Sequence, residues 1–363
     1  MSGIGSFVNW KGVGKKFKKT KKTVSTKKKR SASTSTKRIP PTPTLAPQKQ
    51  CALSVYWLSV EGEDVLKQYD WILYFGISPK LNGKIALDQG YRNLSKFVSQ
   101  KKEKQAGLVI RMVDKRLSER FLNKEGQVWE KFFSEVVSLA KEKGFSEIAL
   151  DLELYPLQQN LKEKVTQFVN LGSLKAKEAG LNFSFIAYAD SFYAKRPFDF
   201  AKISSLVDRV YLMAYDFTKP ISEPGPGFPL FKGEKWAYSL SQAVDDFLKF
   251  FPAEKIVVVF GMYGYDWLVN EKKIPLKKAS ALTLNQIRKK YLSICTPDKC
   301  LVRVDPVAKE KEIDIVFSKL TKEKAIMYPH IIWFEDEETV KLKKEELVKK
   351  GLFNFCFFAL GYY

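Results

Sequence analysis

In the stretch Phe145-Ser146-Glu147-Ile148-Ala149-Leu150-Asp151-Leu152-Glu153-Leu154, polar and apolar side chains alternate, but the alternation is one-sided. Successive side chains of a strand point to opposite faces, so Ile148, Leu150 and Leu152 share one face and Ala149, Asp151 and Glu153 the other. The apolar face suits a covering layer of helices. The other face carries two carboxylates at its carboxyl end, with Cα atoms about 6.6 Å apart at the usual strand rise. This pattern suits a barrel strand, whose inner face presents ligand chemistry at the carboxyl end.

Seven further apolar runs fit the same reading: Leu53 to Ser59, Trp71 to Ile77, Leu108 to Val113, Asn182 to Ala189, Val207 to Tyr215, Ile256 to Met262 and Phe353 to Leu360. Between them, helical periodicity marks Val128 to Lys143, Leu161 to Ala179, Trp236 to Phe250, and Glu337 to Lys350 before Gly351. Eight strands joined by crossover helices predict an α/β chain folded as a (β/α)8 TIM barrel. The gap between the last two strands is too long for one helix. Residues 268–335 are therefore expected to hold an α+β insertion, with a helix over Leu284 to Tyr291 and a strand over Leu301 to Val304. The competing doubly wound sheet would need a Gly-rich phosphate loop, and no G-x-G-x-x-G occurs.

The formal net charge of +22 over 363 residues is concentrated at one end. Residues 1–50 contain 14 Lys or Arg and no Asp or Glu, leaving 48 basic against 40 acidic residues after Gln50. A Ser/Thr/Pro-rich segment containing Lys27-Lys28-Lys29-Arg30 buries too little apolar surface to offset its ordering entropy. We expect residues 1–50 to form a disordered tail and residues 51–363 the barrel. The tail is either a solvated tether or a contact to an anionic surface such as membrane lipid or wall polymer; no specific nucleic-acid partner is expected. No apolar stretch of about 18 residues and no orthodox secretory signal are visible.

Four cysteines and one histidine leave little room for a zinc site or for a nucleophile with a histidine base. Cys295 and Cys300, at C-x4-C spacing, are open to two readings, plain thiols or a small disulfide loop. In the sixth run, Tyr211, Met213 and Tyr215 share a face, with Asp216 just beyond. Trp57, Tyr74, Phe75, Tyr188, Tyr263 and Trp267 lie near strand ends, where an aromatic ring can stack on a saccharide.

Taken together, these residues resemble glycoside hydrolase family 18, the chitinase-like barrels. The family's D-x-x-D-x-D-x-E pattern is matched by Ser146-x-x-Ala149-x-Asp151-x-Glu153, and its M-x-Y-D pattern by Met213-Ala214-Tyr215-Asp216. Three further segments look like the bacterial branch with spore-germination and cortex-lytic hydrolases: Pro224-Gly225-Pro226-Gly227, Tyr263-Gly264-Tyr265-Asp266-Trp267 and His330-Ile331-Ile332-Trp333-Phe334-Glu335-Asp336. The resemblance covers roughly residues 52–361.

It implies a retaining hydrolysis of β-1,4-linked N-acetylglucosamine polymers, peptidoglycan or chitin-type, without metal or organic cofactor. By the same resemblance Glu153 is the general acid, Asp151 orients the sugar's acetamide and Tyr215 donates to its oxygen. Asp216, Met213, Trp267, Tyr263 and Phe358 line the substrate cleft. Such a substrate implies a location outside the cytoplasm. The chain departs from the pattern where Ala149 and Ser146 replace aspartates and where Phe358 aligns with the family's tryptophan. A saccharide-binding barrel without turnover is the alternative.

Overall fold

A computed structural model describes residues 47–58, 63–298, 300–320 and 325–363. Seven strands follow one another with intervening helices: β1 (Lys49–Val55), β2 (Trp71–Ile77), β3 (Ala106–Met112), β4 (Glu147–Leu152), β5 (Asn182–Tyr188), β6 (Arg209–Ala214) and β7 (Ile256–Gly261). Five more, β8 (Tyr263–Leu268), β9 (Ser280–Thr283), β10 (Cys300–Val304), β11 (Lys311–Leu320) and β12 (Ala325–Phe334), form an antiparallel sheet of order β10-β11-β12-β8-β9. After the helix Glu337–Lys349, β13 (Asn354–Phe358) pairs with both β7 and β1 and closes an all-parallel eight-stranded barrel. The expected (β/α)8 barrel with an insertion before its last strand is the observed fold.

Strand alternation sorts the residues as the sequence requires. Ile148, Leu150 and Leu152 pack outward beneath the helices, whereas Ala149 joins Leu53, Leu73, Val109, Ile186, Tyr211 and Val257 inside the barrel. Glu147, at the opposite end of β4 from Asp151, is buried inside as well. It accepts hydrogen bonds from Ser184 and Tyr211 and pairs with Arg209 at 2.9 Å, a closed network that plugs the amino-terminal end.

Element boundaries differ from expectation at several points. Residues 1–46, most of the expected tail, lie outside the described residues, and β1 begins at Lys49, earlier than Leu53. The insertion starts at Tyr263, immediately after β7, rather than at residue 268, because Tyr263 to Leu268 is itself a strand. The helix expected over Trp236 to Phe250 shortens to Leu240–Leu248, since Ser239 accepts from the Gln242 N–H and caps it, leaving Trp236 in the preceding loop. In the insertion, the expected helix and strand appear at Leu284–Ile287, prolonged through Leu292, and at Cys300–Val304.

Two close approaches demand glycine. A Cβ on Gly90, in the first turn of the helix Gln89–Lys101, would fall 1.8 Å from the Gly76 carbonyl oxygen, so only glycine lets that helix end abut β2. A Cβ on Gly264 would fall 2.2 Å from the Trp333 carbonyl oxygen, which keeps β8 and β12 paired.

All four cysteines are paired. Cys295 bonds Cys300, resolving the two readings left open above. Cys51 of β1 bonds Cys356 of β13, directly opposite it in the parallel register with Cα atoms 4.4 Å apart, so that the seam between first and last strand is covalent. Reading the cysteines by sequence proximity alone misses this pair, 305 residues apart.

The insertion is tied to the barrel by a buried ionic knot. Lys343, on the helix Glu337–Lys349, donates to Glu310 at 2.6 Å, to Glu335 and to the Phe228 carbonyl at 2.6 Å. Glu310 also accepts the N–H groups of Gly227 at 2.6 Å and Phe228 at 2.8 Å. Burial, only partly offset by Lys343 and reinforced by Glu310, pushes the Glu335 carboxyl up to about 8.

Two outcomes are expected. Replacing Cys51 and Cys356 by alanine should lower the unfolding free energy by about 2–5 kcal/mol, read from denaturant midpoints, with a smaller loss for the Cys295 and Cys300 pair, whose closed loop is far shorter. For Glu335, folding takes up a proton between the ordinary carboxyl range and about 8. Its stabilising contribution is therefore greatest in acid, falls as pH rises through that window and levels off above it. Glu335→Gln, which keeps the neutral form, should show a shallower decline of Tm from pH 6 to 8.5 than wild type.

Candidate active site

Asp151 is the penultimate residue of β4 and Glu153 follows its end, but the Glu153 N–H still donates to the Met112 carbonyl at 2.9 Å, so the strand geometry persists to the acid. Both carboxylates line a small cavity of about 150 Å³ at the carboxyl end of the barrel, together with Tyr188, Tyr215, Asp216 and Phe358. Met213 and Tyr263 also border it. Seven of the eight site residues expected from sequence thus meet in one pocket.

Trp267 is the exception. It is completely buried within the insertion, and its indole N–H donates to the Ser222 carbonyl at 3.0 Å, clamping the loop after β6. It offers no free face to a ligand. Tyr74 is corrected in the same way: it points outward from β2, stacks on Phe97 and donates to the Gly90 carbonyl at 2.7 Å. Trp57 remains half-exposed beside Phe75 and Phe358 at the rim.

The two carboxyls are electrostatically unequal. Burial and the neighbouring charge of Glu153 push Asp151 well above the usual carboxylate range, with Arg111 pulling the other way, and Oδ1 of Asp151 has no hydrogen-bond partner among the described residues. Burial also raises Glu153, but less freely. The Tyr188 hydroxyl donates to its Oε2 at 2.5 Å, and Lys115, Arg196 and Lys219 add favourable charge. Arg196 lies 4.0 Å from the Tyr188 ring centroid and donates to the Leu154 carbonyl, which holds the phenol in place. Two interacting carboxyls of this kind titrate as a pair.

Arg111 and Tyr188 are the residues that sequence reading left without these roles. Arg111 stands directly across from Asp151 in the β3–β4 register. It pairs at 2.6 Å with Asp88, whose other oxygen accepts the Tyr91 N–H and caps the helix Gln89–Lys101. The available signal was a lone arginine in the apolar run Leu108-Val109-Ile110-Arg111-Met112.

Across the pocket, Phe358 stacks on Tyr215 with centroids 5.4 Å apart and an interplanar angle of 29°. Asp216 adopts a left-handed backbone with φ of 57°, and its Oδ1 accepts from the hydroxyls of Tyr263 and, at 2.7 Å, Tyr265. The insertion thereby completes the pocket wall. Among the described residues no group of three His, Cys, Asp or Glu side chains is placed to hold a metal ion. An aromatic floor beneath a carboxyl pair that holds its protons into a higher pH range can bind a sugar ring and deliver a proton to it.

Comparison with known proteins agrees with this geometry. The model of the glycosyl hydrolases family 18 matches residues 48–362. The chain is 24% identical over 246 residues to the uncharacterized glycosylase YvbX of Bacillus subtilis, covering 64% of this chain and 62% of YvbX. The spore cortex-lytic enzyme SleL of Bacillus cereus superposes with a TM-score of 0.65 at 18% identity, over 89% of this chain and 73% of SleL. A family 18 N-acetylglucosaminidase from Paenibacillus barengoltzii gives a TM-score of 0.70 at 15% identity, over 87% and 96% of the two chains. At these identities the structural matches establish the shared fold.

The carboxyl pair is open to direct measurement. Replacing Arg111 by glutamine should move the Asp151 titration, followed by ¹³C NMR of labelled aspartate carboxyls, to higher pH. Arg111→Lys should restore most of the shift, whereas an unchanged titration would mean that Arg111 only anchors the helix cap.

Proposed function

The chain belongs to glycosyl hydrolase family 18, and on that premise we propose that it cleaves β-1,4 bonds of N-acetylglucosamine-containing polymers with retention of configuration. The observation that carries this reading is the inward pair Asp151 and Glu153 facing the stacked Tyr215 and Phe358 in one pocket. Peptidoglycan and chitin-type polymers are both candidate substrates, since a spore cortex-lytic enzyme and chitinases share this fold.

In this mechanism the sugar to be cleaved lies over Phe358. Glu153, its proton retained by burial, protonates the glycosidic oxygen as the bond to the anomeric carbon breaks. The substrate's own acetamide carbonyl attacks that carbon from the opposite face, giving an oxazolinium ion. The pair shares one proton at this stage: the acetamide N–H donates to Asp151, which favours its carboxylate form and leaves the proton on Glu153. That carboxylate stabilises the positive charge, and the Tyr215 hydroxyl donates to the acetamide oxygen. Asp216, with Met213 and Tyr263, borders the same sugar. Glu153, now a carboxylate, takes a proton from water as the oxygen of that water attacks the anomeric carbon, and the acetamide is released. Both displacements invert, so configuration is retained.

Ala149 removes the carboxyl that the family pattern places behind Asp151, and Arg111, across from Asp151 on the adjacent strand, favours its charged form. Phe358 gives a smaller stacking surface than the family's tryptophan. Both changes are compatible with turnover because the acid and the acetamide-binding groups are retained.

Glu153→Gln tests the reading. Hydrolysis of fluorogenic di- and tri-N-acetylchitooligosaccharides and of purified peptidoglycan should fall by about 10²- to 10⁴-fold, with saccharide affinity kept. Binding without turnover in the wild-type protein would instead make the barrel a saccharide-binding module.

A further inference from the structure

A second and larger cavity, about 680 Å³, lies between the loop after β6 and one face of the inserted sheet. Antiparallel register sets out that face. Tyr265, Trp333, Glu312 and Arg303 are successive cross-strand partners on β8, β12, β11 and β10, so their side chains share a face. The row starts at Tyr265, whose hydroxyl holds Asp216 in the catalytic pocket, and reaches Arg303 about 14 Å away, three strand spacings on. Trp333, Glu312 and Arg303 line the cavity, which thus extends from the neighbourhood of the catalytic pocket.

Its chemistry differs from that of the pocket. Trp333 is only 5% exposed and meets Trp236 edge-on at 6.0 Å, yet its indole N–H has no acceptor among the described residues. A desolvated donor without an acceptor is costly, and an oxygen of an occupant relieves that cost. Glu312 pairs with Arg303 at 2.5 Å, and Asp314 pairs with Lys273 at 3.1 Å, which neutralises these charges within the wall. Lys235 and Lys272 also line the cavity and form no ion pair among the described residues.

We propose that this cavity binds the carboxylate-bearing peptide substituent of a muramyl glycan, with Lys235 and Lys272 meeting peptide carboxylates and the Trp333 N–H meeting a peptide oxygen. The proposal rests on the glycosidase reading above and adds the substituent that distinguishes peptidoglycan from chitin. A peptide suits the site better than a uniformly anionic polymer, because Glu223 and Glu312 face the same space and would repel one. Its amide N–H groups can donate to those acids while its carboxylates reach the lysines.

The test uses the full chain carrying Glu153→Gln, so that ligands stay intact, and calorimetric titration with two probes. One is a disaccharide-peptide repeat purified from peptidoglycan, the other a chitooligosaccharide with the same number of rings. The peptide-bearing probe should bind about tenfold more tightly, with the difference shrinking as salt is added. Lys235→Gln combined with Lys272→Gln, two exposed positions, should remove most of that preference and leave chitooligosaccharide affinity within about twofold. Trp333→Phe, which keeps the ring and loses the donor, should weaken the peptide-bearing probe about five- to tenfold.

Equal affinity for both probes, or equal losses on both in the variants, overturns the proposal. Wild-type turnover of chitooligosaccharide alongside such a result leaves the glycosidase reading standing. Absence of both turnover and binding overturns the two together.

Discussion

One buried ammonium organises this molecule. Lys343 is wholly excluded from solvent, and it reaches Glu310, Glu335 and the Phe228 carbonyl, which come from three different segments. Charges taken this far from water persist only with partners, so the helix before the last barrel strand, the end of β12, the β10–β11 turn and the Pro224–Gly227 loop must arrive together. Two motifs shared with the bacterial family branch thereby acquire a physical reason. Glu335 is the penultimate residue of one of them, and Gly227 ends the other and gives its N–H to Glu310. With the insertion fixed, Tyr263 and Tyr265 can hold Asp216 in its left-handed conformation beside the carboxyl pair.

The barrel was legible from eight apolar runs alternating with helical stretches, and β4 stood out among them because helices outside and ligand chemistry inside impose a distinctive alternation. Both inward carboxylates, Met213, Tyr215, Asp216, Tyr263 and Phe358 followed from period-two geometry and motif matching. What escaped that reading depended on contacts between distant elements. Trp267 belongs to a matched motif but spends its indole on Ser222 across the loop, a pairing no local pattern announces. Tyr74 and Phe75 are adjacent in sequence, and parity sends only Phe75 inward. The Cys51–Cys356 pair became visible only once the barrel had closed.

The surroundings of Asp151 tie its electrostatics to a neighbouring element. Ala149 leaves the interior layer apolar behind Asp151. The charge beside Asp151 comes sideways and is of opposite sign, from Arg111 on the neighbouring strand, itself held by the aspartate that caps the helix Gln89–Lys101. Proton affinity at the centre of the barrel is thus linked to the seating of a peripheral helix, and Gly90 is the residue that lets that helix come close enough.

The bond between Cys51 and Cys356 has a consequence for how the protein fails. It joins the two strands that bracket the chain's path around the barrel, so the segment between them is a covalent ring. A single peptide cleavage in any surface loop on that path, such as the one between β6 and β7, opens the ring without dividing the molecule. The two pieces stay attached, and the strands can remain paired around the intact seam. In a surrounding rich in proteases, damage that would split an ordinary barrel into diffusing fragments leaves this one a nicked but single particle.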